Sequence, residues 1–171
     1  MVHRLELLRH AKSSWDDPGL PDHDRPLAPR GIKACARLRE HARESGLSAD
    51  LVLCSSATRA VQTWEGIRGG LADEPAVQIE DHLYRDDADG LLDRLQGVSE
   101  SVESVLLIGH NPALEGLALG LAGDGEAEAL ARMSAKYPTG ALATLSFSGD
   151  WKELTWAAAH LDTFIVPREL K

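Results

Sequence analysis

Three apolar segments of the chain end in residues that can bind or attack an anion. Residues 5 to 8 lead into Arg9 and His10, residues 51 to 54 lead into a polar stretch that ends in Arg59, and residues 105 to 108 lead into His110 and Asn111. Arginine guanidinium groups bind oxyanions in a paired geometry, and a neutral histidine ring can act as a nucleophile. If the three segments are parallel strands, their carboxyl ends meet at one edge of a sheet. These residues therefore predict a site for a tetrahedral dianion at that edge.

The elements that would carry these residues follow an alternating pattern. We predict strands near residues 5–8, 51–54, 77–79, 105–108, 142–147 and 154–159, and helices over 29–45, 56–68, 90–96, 112–122 and 126–133. Strands and helices alternate as in a mainly parallel sheet with both faces covered. The last two strands have no helix between them, and a turn at Gly149 and Asp150 predicts that they pair as an antiparallel hairpin at one edge.

Local sequence also predicts how the first two helices are built. Pro29 suits the first position of a helix, and Gly46 suits its end. Four apolar residues recur on one face of this helix: Ile32, Cys35, Leu38 and Ala42. Ser55 and Ser56 are predicted to cap the second helix, which places Arg59 in its first turn.

Length, composition and charge favour one soluble domain with a small ligand. The 171 residues are 43% hydrophobic and 26% charged, which is the balance of a soluble globular protein. The formal net charge of −9 disfavours nucleic acid and anionic membrane surfaces as partners. No apolar segment reaches membrane-spanning length and no secretory signal precedes the first strand, so we expect residues 1–171 to form one cytoplasmic domain.

The two cysteines, Cys35 and Cys54, do not have the paired spacing of a metal site. In a reducing compartment they are expected to be buried free thiols. The sequence predicts neither a metal nor another cofactor.

At five points the sequence resembles the histidine phosphatase superfamily, also called phosphoglycerate-mutase-like, and within it the SixA-like phosphohistidine phosphatases. The matching segments are residues 7–13 (LLRHAKS), 23–27 (HDRPL), 54–63 (CSSATRAVQT), 108–112 (IGHNP) and 137–140 (YPTG). The resemblance implies a three-layer α/β/α fold with a mainly parallel sheet and an antiparallel edge. It also implies a metal-independent phosphatase that needs no cofactor, in which His10 is transiently phosphorylated.

The resemblance assigns the phosphoryl clamp to Arg9, Arg59 and His110. The charge of the two arginines would lower the pKa of His10 and keep its ring neutral. The proton donor of the superfamily is commonly a carboxylate in an acid-x-x-Tyr stretch, which here corresponds to Asp81. Three neighbouring carboxylates are alternatives for this role: Glu80, Asp86 and Asp87.

The substrate-binding residues are predicted to include Arg25, Lys12 and Asn111. The resemblance supports substrate contact for Arg25, whereas a surface ion pair with Asp22 or Asp24 is the alternative for this arginine. Lys12 lies in a loop expected to border the pocket. The expected partner is a phosphorylated protein or a small phosphorylated compound.

Three other functions deserve comparison with phosphohistidine hydrolysis. A small-molecule phosphomonoesterase of the same superfamily would use the same residues, and a non-catalytic phosphate- or phosphopeptide-binding module would keep only the anion pocket. A cysteine phosphatase is disfavoured because the stretch between Cys54 and Arg59 lacks glycine and is one residue short of the usual phosphate loop.

Overall fold

The structure, a computed structural model, describes residues 1–170 and contains a seven-stranded sheet. The strands are β1 (Val2–Arg9), β2 (Leu51–Ser55), β3 (Ala76–Glu80), β4 (Ser104–Gly109), β5 (Ala122–Gly125), β6 (Leu142–Ser148) and β7 (Ala159–Ile165). Their order across the sheet is β3-β2-β4-β1-β6-β7-β5. Only β6 runs against its neighbours, so the predicted mainly parallel sheet is confirmed.

Helices cover both faces of this sheet. They are α1 (Pro29–Ser45), α2 (Thr58–Ile67), α3 (His82–Arg85), α4 (Ala88–Gln96), α5 (Ala113–Leu121) and α6 (Ala127–Ala135). Apolar residues of α1 and α2 pack with Leu8 and Leu106 on one face, and those of α4, α5 and α6 pack with Leu7 and Leu107 on the other. Adjacent residues of a strand point to opposite faces, which produces two hydrophobic clusters around one sheet. The predicted three-layer α/β fold is therefore confirmed.

The strands that precede the predicted site residues lie next to one another at the centre of the sheet. β4 pairs in parallel with β1 on one side and with β2 on the other. Arg9 is level with Gly109, and Cys54 is level with Ile108. The carboxyl ends of the three strands consequently meet at one edge, as the sequence predicts.

The end of the chain differs from the prediction. β7 spans Ala159–Ile165 rather than 154–159, because the segment before it forms a short 3-10 helix at Trp151–Glu153 and then a turn with Ala157 at a φ of 63°. The strand β5 is not predicted. Its Gly123 lies so close to the carbonyl oxygen of Ala157 that a Cβ would be 2.0 Å from it, so glycine permits the approach. Because β5 pairs with β7, the antiparallel hairpin of β6 and β7 lies inside the edge.

The boundaries of α1 and α2 agree with the prediction, whereas their buried residues and caps differ from it in part. α1 begins at Pro29 and ends before Gly46, which adopts a left-handed φ of 69°. Ile32, predicted to be buried, is 61% exposed, and Gly31 is buried in its place against the backbone of Lys12. Ser55 and Ser56 do not cap α2, whose N-cap is Ala57.

Both cysteines are buried free thiols, as predicted. Within residues 1–170, none of the helices has the length and apolar character to cross a membrane.

Candidate active site

His10 lies immediately after β1 and is 6% exposed. Its Nδ1 lies 2.7 Å from the carbonyl oxygen of Ala11. A carbonyl only accepts hydrogen bonds, so Nδ1 carries the proton and Nε2 carries the lone pair. Burial lowers the pKa of His10 to about 4, against the opposing effect of the Ala11 hydrogen bond, and the arginines nearby lower it further. His10 is therefore a neutral imidazole at pH 7.

Arg59, in the first turn of α2, directs its guanidinium toward this lone pair. Its Nε lies 3.4 Å from Nε2 of His10, and its side chain is buried. Thr63, one turn further along α2, connects the helix to the end of β1, because its hydroxyl accepts a hydrogen bond from the Ala11 backbone N–H at 3.0 Å. The arginine is thus fixed beside His10 by the packing of α2 against the end of β1.

His110 follows β4 and places a second imidazole beside the first. The ring centroids of His110 and His10 are 5.0 Å apart. The Nε2 of His110 lies 2.7 Å from the hydroxyl oxygen of Ser55, at the end of β2. Burial lowers the pKa of His110 to about 3, and His10 and Arg59 contribute to the decrease. His110 is therefore also neutral, and it can donate a hydrogen bond to a bound anion from one ring nitrogen.

Arg9 is half-buried between the end of β1 and the segment 137–140. Its Nη1 donates a hydrogen bond to the carbonyl oxygen of Tyr137 at 3.0 Å. Its Nε is buried and has no hydrogen-bond partner within residues 1–170. Burial lowers the pKa of Arg9, although guanidinium stays charged at neutral pH. Arg9 therefore supplies a second fixed positive charge close to His10.

Asp22, expected from the sequence only as an alternative partner of Arg25, lies at the site. It lies in a 3-10 helix at Asp22–Asp24, and its backbone carbonyl and Oδ2 accept hydrogen bonds from Arg59 at 2.7 and 3.0 Å. The Tyr84 hydroxyl donates to the same Oδ2 at 2.7 Å. The Tyr84 bond, followed by those of Arg59 and Arg25, holds the pKa of Asp22 far below its usual range, so this carboxylate is ionised.

Arg25 also contacts Asp22. It forms the ion pair with Asp22, at 3.0 Å, that is the alternative to substrate contact; Arg25 itself is only 7% exposed, whereas the Asp22 side chain is 48% exposed. Its Nη1 also donates to the Ser13 hydroxyl at 2.8 Å, and its guanidinium carbon lies 3.5 Å from the centroid of the Trp15 ring. Arg25 is thereby held next to the loop that follows His10 in the chain.

Comparison with known proteins assigns this arrangement to a family. A sequence model of the histidine phosphatase superfamily (branch 1) matches residues 5–84, a range that includes His10, Arg25 and Arg59. A candidate phosphohistidine phosphatase SixA from Nakamurella multipartitia has the same fold, with a TM-score of 0.82 and 27% identity over 98% of this chain and 97% of that one. The chain belongs to the histidine phosphatase superfamily.

Other relatives are similar over almost their whole length. A candidate SixA from Agrobacterium tumefaciens is 29% identical, with a TM-score of 0.82 and coverage of 96% of this chain and 98% of that one. An uncharacterized protein of Mycobacterium leprae is 37% identical over 94% of this chain and 100% of its own length. The protein is thus a SixA-like member of the superfamily and a phosphatase of the class that uses a histidine nucleophile.

In this SixA-like phosphatase, the structure brings together His10, Arg9, Arg59, His110 and Arg25, but not Asp81. Asp81 is exposed at the start of α3, and within residues 1–170 its side chain has no hydrogen bond or ion pair.

The three alternatives to Asp81 have other partners. Glu80 pairs with Arg94 and His82, Asp86 accepts from His82, and Asp87 caps α4 through the Gly90 N–H. Asp22 is the carboxylate that contacts the arginine beside His10. The spacing of Asp22 and Arg25 is a signal in the sequence for their pairing, but not for the contact with Arg59.

The two remaining predicted residues lie at the margin of the cluster. Asn111 donates a hydrogen bond from Nδ2 to the Tyr137 carbonyl at 3.1 Å, the same oxygen that Arg9 binds. Lys12 is exposed and lines a cavity beside Arg9. In the described part of the chain, no group of three or more His, Cys, Asp or Glu residues is arranged to hold a metal ion.

Proposed function

We propose that this phosphatase hydrolyses phosphohistidine through a phosphorylated His10. The observation that carries the proposal is the neutral imidazole of His10, with its proton on Nδ1 and its lone pair on Nε2. In the first step Nε2 attacks phosphorus, the bond from phosphorus to the leaving nitrogen breaks, that nitrogen takes a proton from solvent, and phospho-His10 forms. In the second step water attacks phospho-His10, inorganic phosphate leaves, and the imidazole is regenerated.

The surrounding cations match the charge that the phosphoryl group carries during both steps. Arg59 is within 3.4 Å of the attacking nitrogen, and Arg9 offers a buried Nε–H that has no other partner in the described residues. Neutral His110 can donate from its ring to one phosphoryl oxygen. Fixed donors around a loose phosphoryl group stabilise the charge on its equatorial oxygens.

The state of Asp22 favours phosphohistidine over a phosphate monoester. A monoester leaves as an alkoxide that requires a proton from a general acid, whereas the leaving nitrogen of a phosphoramidate is easier to protonate. Asp22 is held ionised by Tyr84, Arg59 and Arg25, so it cannot be that acid in this arrangement. The similarity to candidate phosphohistidine phosphatases supports the same substrate.

The test is to incubate the protein with ³²P-phosphoramidate and with a phosphohistidine peptide. We expect the wild type to acquire an acid-labile, alkali-stable label and to release phosphate from the peptide. His10→Ala should lose both activities, whereas His160→Ala should retain both, because His160 is exposed and pairs with Asp124. A folded His10→Ala protein with full turnover would exclude His10 as the nucleophile.

A panel of phosphate monoesters tests the substrate class separately. For wild-type protein we expect kcat/KM for the phosphohistidine peptide to exceed that for phosphoserine peptide and 4-nitrophenyl phosphate by on the order of 100-fold, since an ionised Asp22 cannot supply the proton that the leaving oxygen of a monoester requires. Equal or faster turnover of the monoesters would contradict the preference for phosphohistidine and indicate a monoester as the substrate, with His10 still the nucleophile.

A further inference from the structure

A cavity of about 500 Å³ opens beside the active site, and its charge is opposite to that of the whole chain. It shares Arg9 with the site and is otherwise lined by the side chains of six further cations: Lys12, Arg30, Lys33, Arg37, Lys136 and Arg168. Neither Asp nor Glu is among its lining residues. We call this feature the basic cavity.

The concentration of charge in the basic cavity is unusual for so acidic a protein. The chain has 18 Lys and Arg against 27 Asp and Glu. Seven of these cations line the cavity, so the rest of the chain has only 11 Lys and Arg against all 27 Asp and Glu. A cleft lined by one sign of charge attracts ligands of the opposite sign whatever the net charge of the protein. The cavity is therefore suited to an anionic ligand.

In the described part of the chain, six of the seven cations of the basic cavity are free of ion pairs. The six that it does not share with the catalytic cluster are exposed, and none forms an ion pair within residues 1–170. Several other arginines are paired, for example Arg94 with Glu80 and Arg43 with Glu40. Unpaired like charges repel one another, and an anion bound among them would remove this repulsion.

The shape of the basic cavity fits an extended ligand with several charges. Arg30, Lys33 and Arg37 are three and four residues apart on α1, which places them along one side of the helix. The seven residue-to-residue steps from Arg30 to Arg37 span roughly 10 Å along the helix axis, a length that about three residues of extended peptide would match. A single phosphate group is too small to contact the whole row.

The other side of the active site has a different charge. A cavity of about 370 Å³ beside Tyr84 and His110 is lined by two carboxylates, Asp86 and Asp87, and by one cation, Arg85. Acidic residues of a substrate would therefore be attracted by the basic cavity, with seven cations and no carboxylate among its described lining residues, and not by this one. The difference in charge between the two cavities therefore favours one orientation of such a substrate across His10.

We propose that the basic cavity binds the carboxylates of an acidic segment next to the phosphorylated histidine of a phosphoprotein substrate. This inference rests on the proposed phosphohistidine phosphatase function and extends it to the substrate sequence. Lys33 and Arg37 contact the acidic side chains, and Arg9 lies between them and the phosphoryl group.

The test compares two phosphohistidine peptides that differ only in flanking residues, Asp and Glu in one and Ser and Gly in the other. For wild-type protein we expect kcat/KM to be on the order of tenfold higher for the acidic peptide at low salt, with the advantage decreasing as salt is added. In Lys33→Glu/Arg37→Glu the ratio should fall to one or below. The ratio is internal to each protein, so a general loss of active protein does not change it.

A matched control reverses two exposed cations outside the basic cavity. Lys152→Glu/Arg68→Glu also changes the net charge by −4, from −9 to −13, and should keep the wild-type ratio. Equal turnover of both peptides by the wild type, or the same decrease in the control, would overturn the proposal. A preference for small bisphosphorylated compounds over acidic peptides would assign the cavity to a metabolite and likewise overturn it.

A binding experiment separates this inference from the proposed function. A fluorescent, unphosphorylated Asp/Glu peptide should bind the wild type at low salt and lose affinity on the order of tenfold in Lys33→Glu/Arg37→Glu. Binding of the Asp/Glu peptide without any phosphohistidine turnover would refute the proposed function and still support an anion-binding site in the basic cavity. Phosphohistidine turnover with neither acidic preference nor peptide binding would refute the anion site alone.

Discussion

At the level of single residues, the chemistry depends on a histidine that is kept neutral in a strongly cationic environment. The Ala11 carbonyl fixes the tautomer of His10, and burial disfavours its charged form. Both effects are needed. A cationic ring has no lone pair with which to attack phosphorus, and in the other tautomer the lone pair would lie on Nδ1 and point at the Ala11 carbonyl. The buried position after β1 is thus itself a part of the mechanism.

The titration of His10 is the first prediction at this scale. Its pKa is lowered to about 4 in the folded protein, while an unfolded histidine titrates near 6.5. His10 should therefore remain neutral as the pH falls from 7 to 5, with a midpoint near 4 in an NMR titration of its ring signals. The unfolded chain binds this proton first, so His10 makes the folded state less stable as the pH decreases from about 6.5 to 4. A midpoint near 6.5 would contradict the prediction.

The second residue-level prediction concerns Asp22, whose carboxylate and carbonyl use the Nη atoms of Arg59. A bound oxyanion competes with the carboxylate for this guanidinium. Asp22→Ala removes the competitor and one negative charge, so vanadate should inhibit roughly threefold to tenfold more tightly. Inhibition constants for the two proteins provide the measurement.

Asp24→Ala is the matched control for this change. Asp24 lies in the same 3-10 helix, is exposed, and its carboxylate contacts His23 at 3.3 Å rather than Arg59. Its vanadate inhibition should equal that of the wild type. Weaker inhibition of Asp22→Ala would mean that Asp22 holds Arg59 in position instead of competing for it.

At the level of elements, the segment 137–140 connects the strand ends. The Tyr137 carbonyl binds both Arg9 and Asn111, and the Gly140 N–H donates to the carbonyl oxygens of Arg9 and His10 at 3.0 Å. Gly140 has a φ of 77°, which other residues rarely adopt. This turn therefore determines where β1 ends and how Arg9 is placed.

Gly140→Ala should destabilise the protein and reduce its activity. A Cβ at this position would be 2.7 Å from Cγ of Pro167, in addition to the strain of the left-handed backbone. We expect a loss of about 2 to 4 kcal/mol in the free energy of unfolding measured with urea.

Gly46→Ala provides the control at the end of α1. It has a similar φ of 69°, but no atom lies within 4 Å of the added Cβ. Its cost should be about 1 kcal/mol, and its activity should be unchanged. Equal effects of the two substitutions would show that the Pro167 contact has no energetic weight.

At the level of the whole molecule, the two hydrophobic clusters share one sheet. Leu7 and Leu8 are adjacent in β1 but belong to different clusters, so neither face can lose its packing without disturbing the same strand. We expect residues 1–171 to unfold in one transition, with equal calorimetric and van't Hoff enthalpies. Two separated transitions in the calorimeter would refute the prediction of a single domain.

The sequence by itself determines the centre of this molecule. Apolar segments that end in Arg9, His10 and His110, and a helix that starts just before Arg59, are local patterns. The parallel-sheet rule is enough to bring their ends together. Short-range patterns also define most of the helices, because caps and apolar periodicity involve residues within a few positions of each other.

Tertiary structure decides what surrounds that centre. Asp22 meets Arg59 across 37 positions and Tyr84 across 62, and no local pattern specifies such contacts. The same holds for the burial of Arg25 and for β5, which forms an edge strand only because β7 is already beside it. The basic cavity likewise combines α1 with Arg168 near the end of the chain. Side chains far apart in sequence acquire a shared environment only after the chain has folded, and that environment sets the charge state of Asp22 and the neutrality of His10.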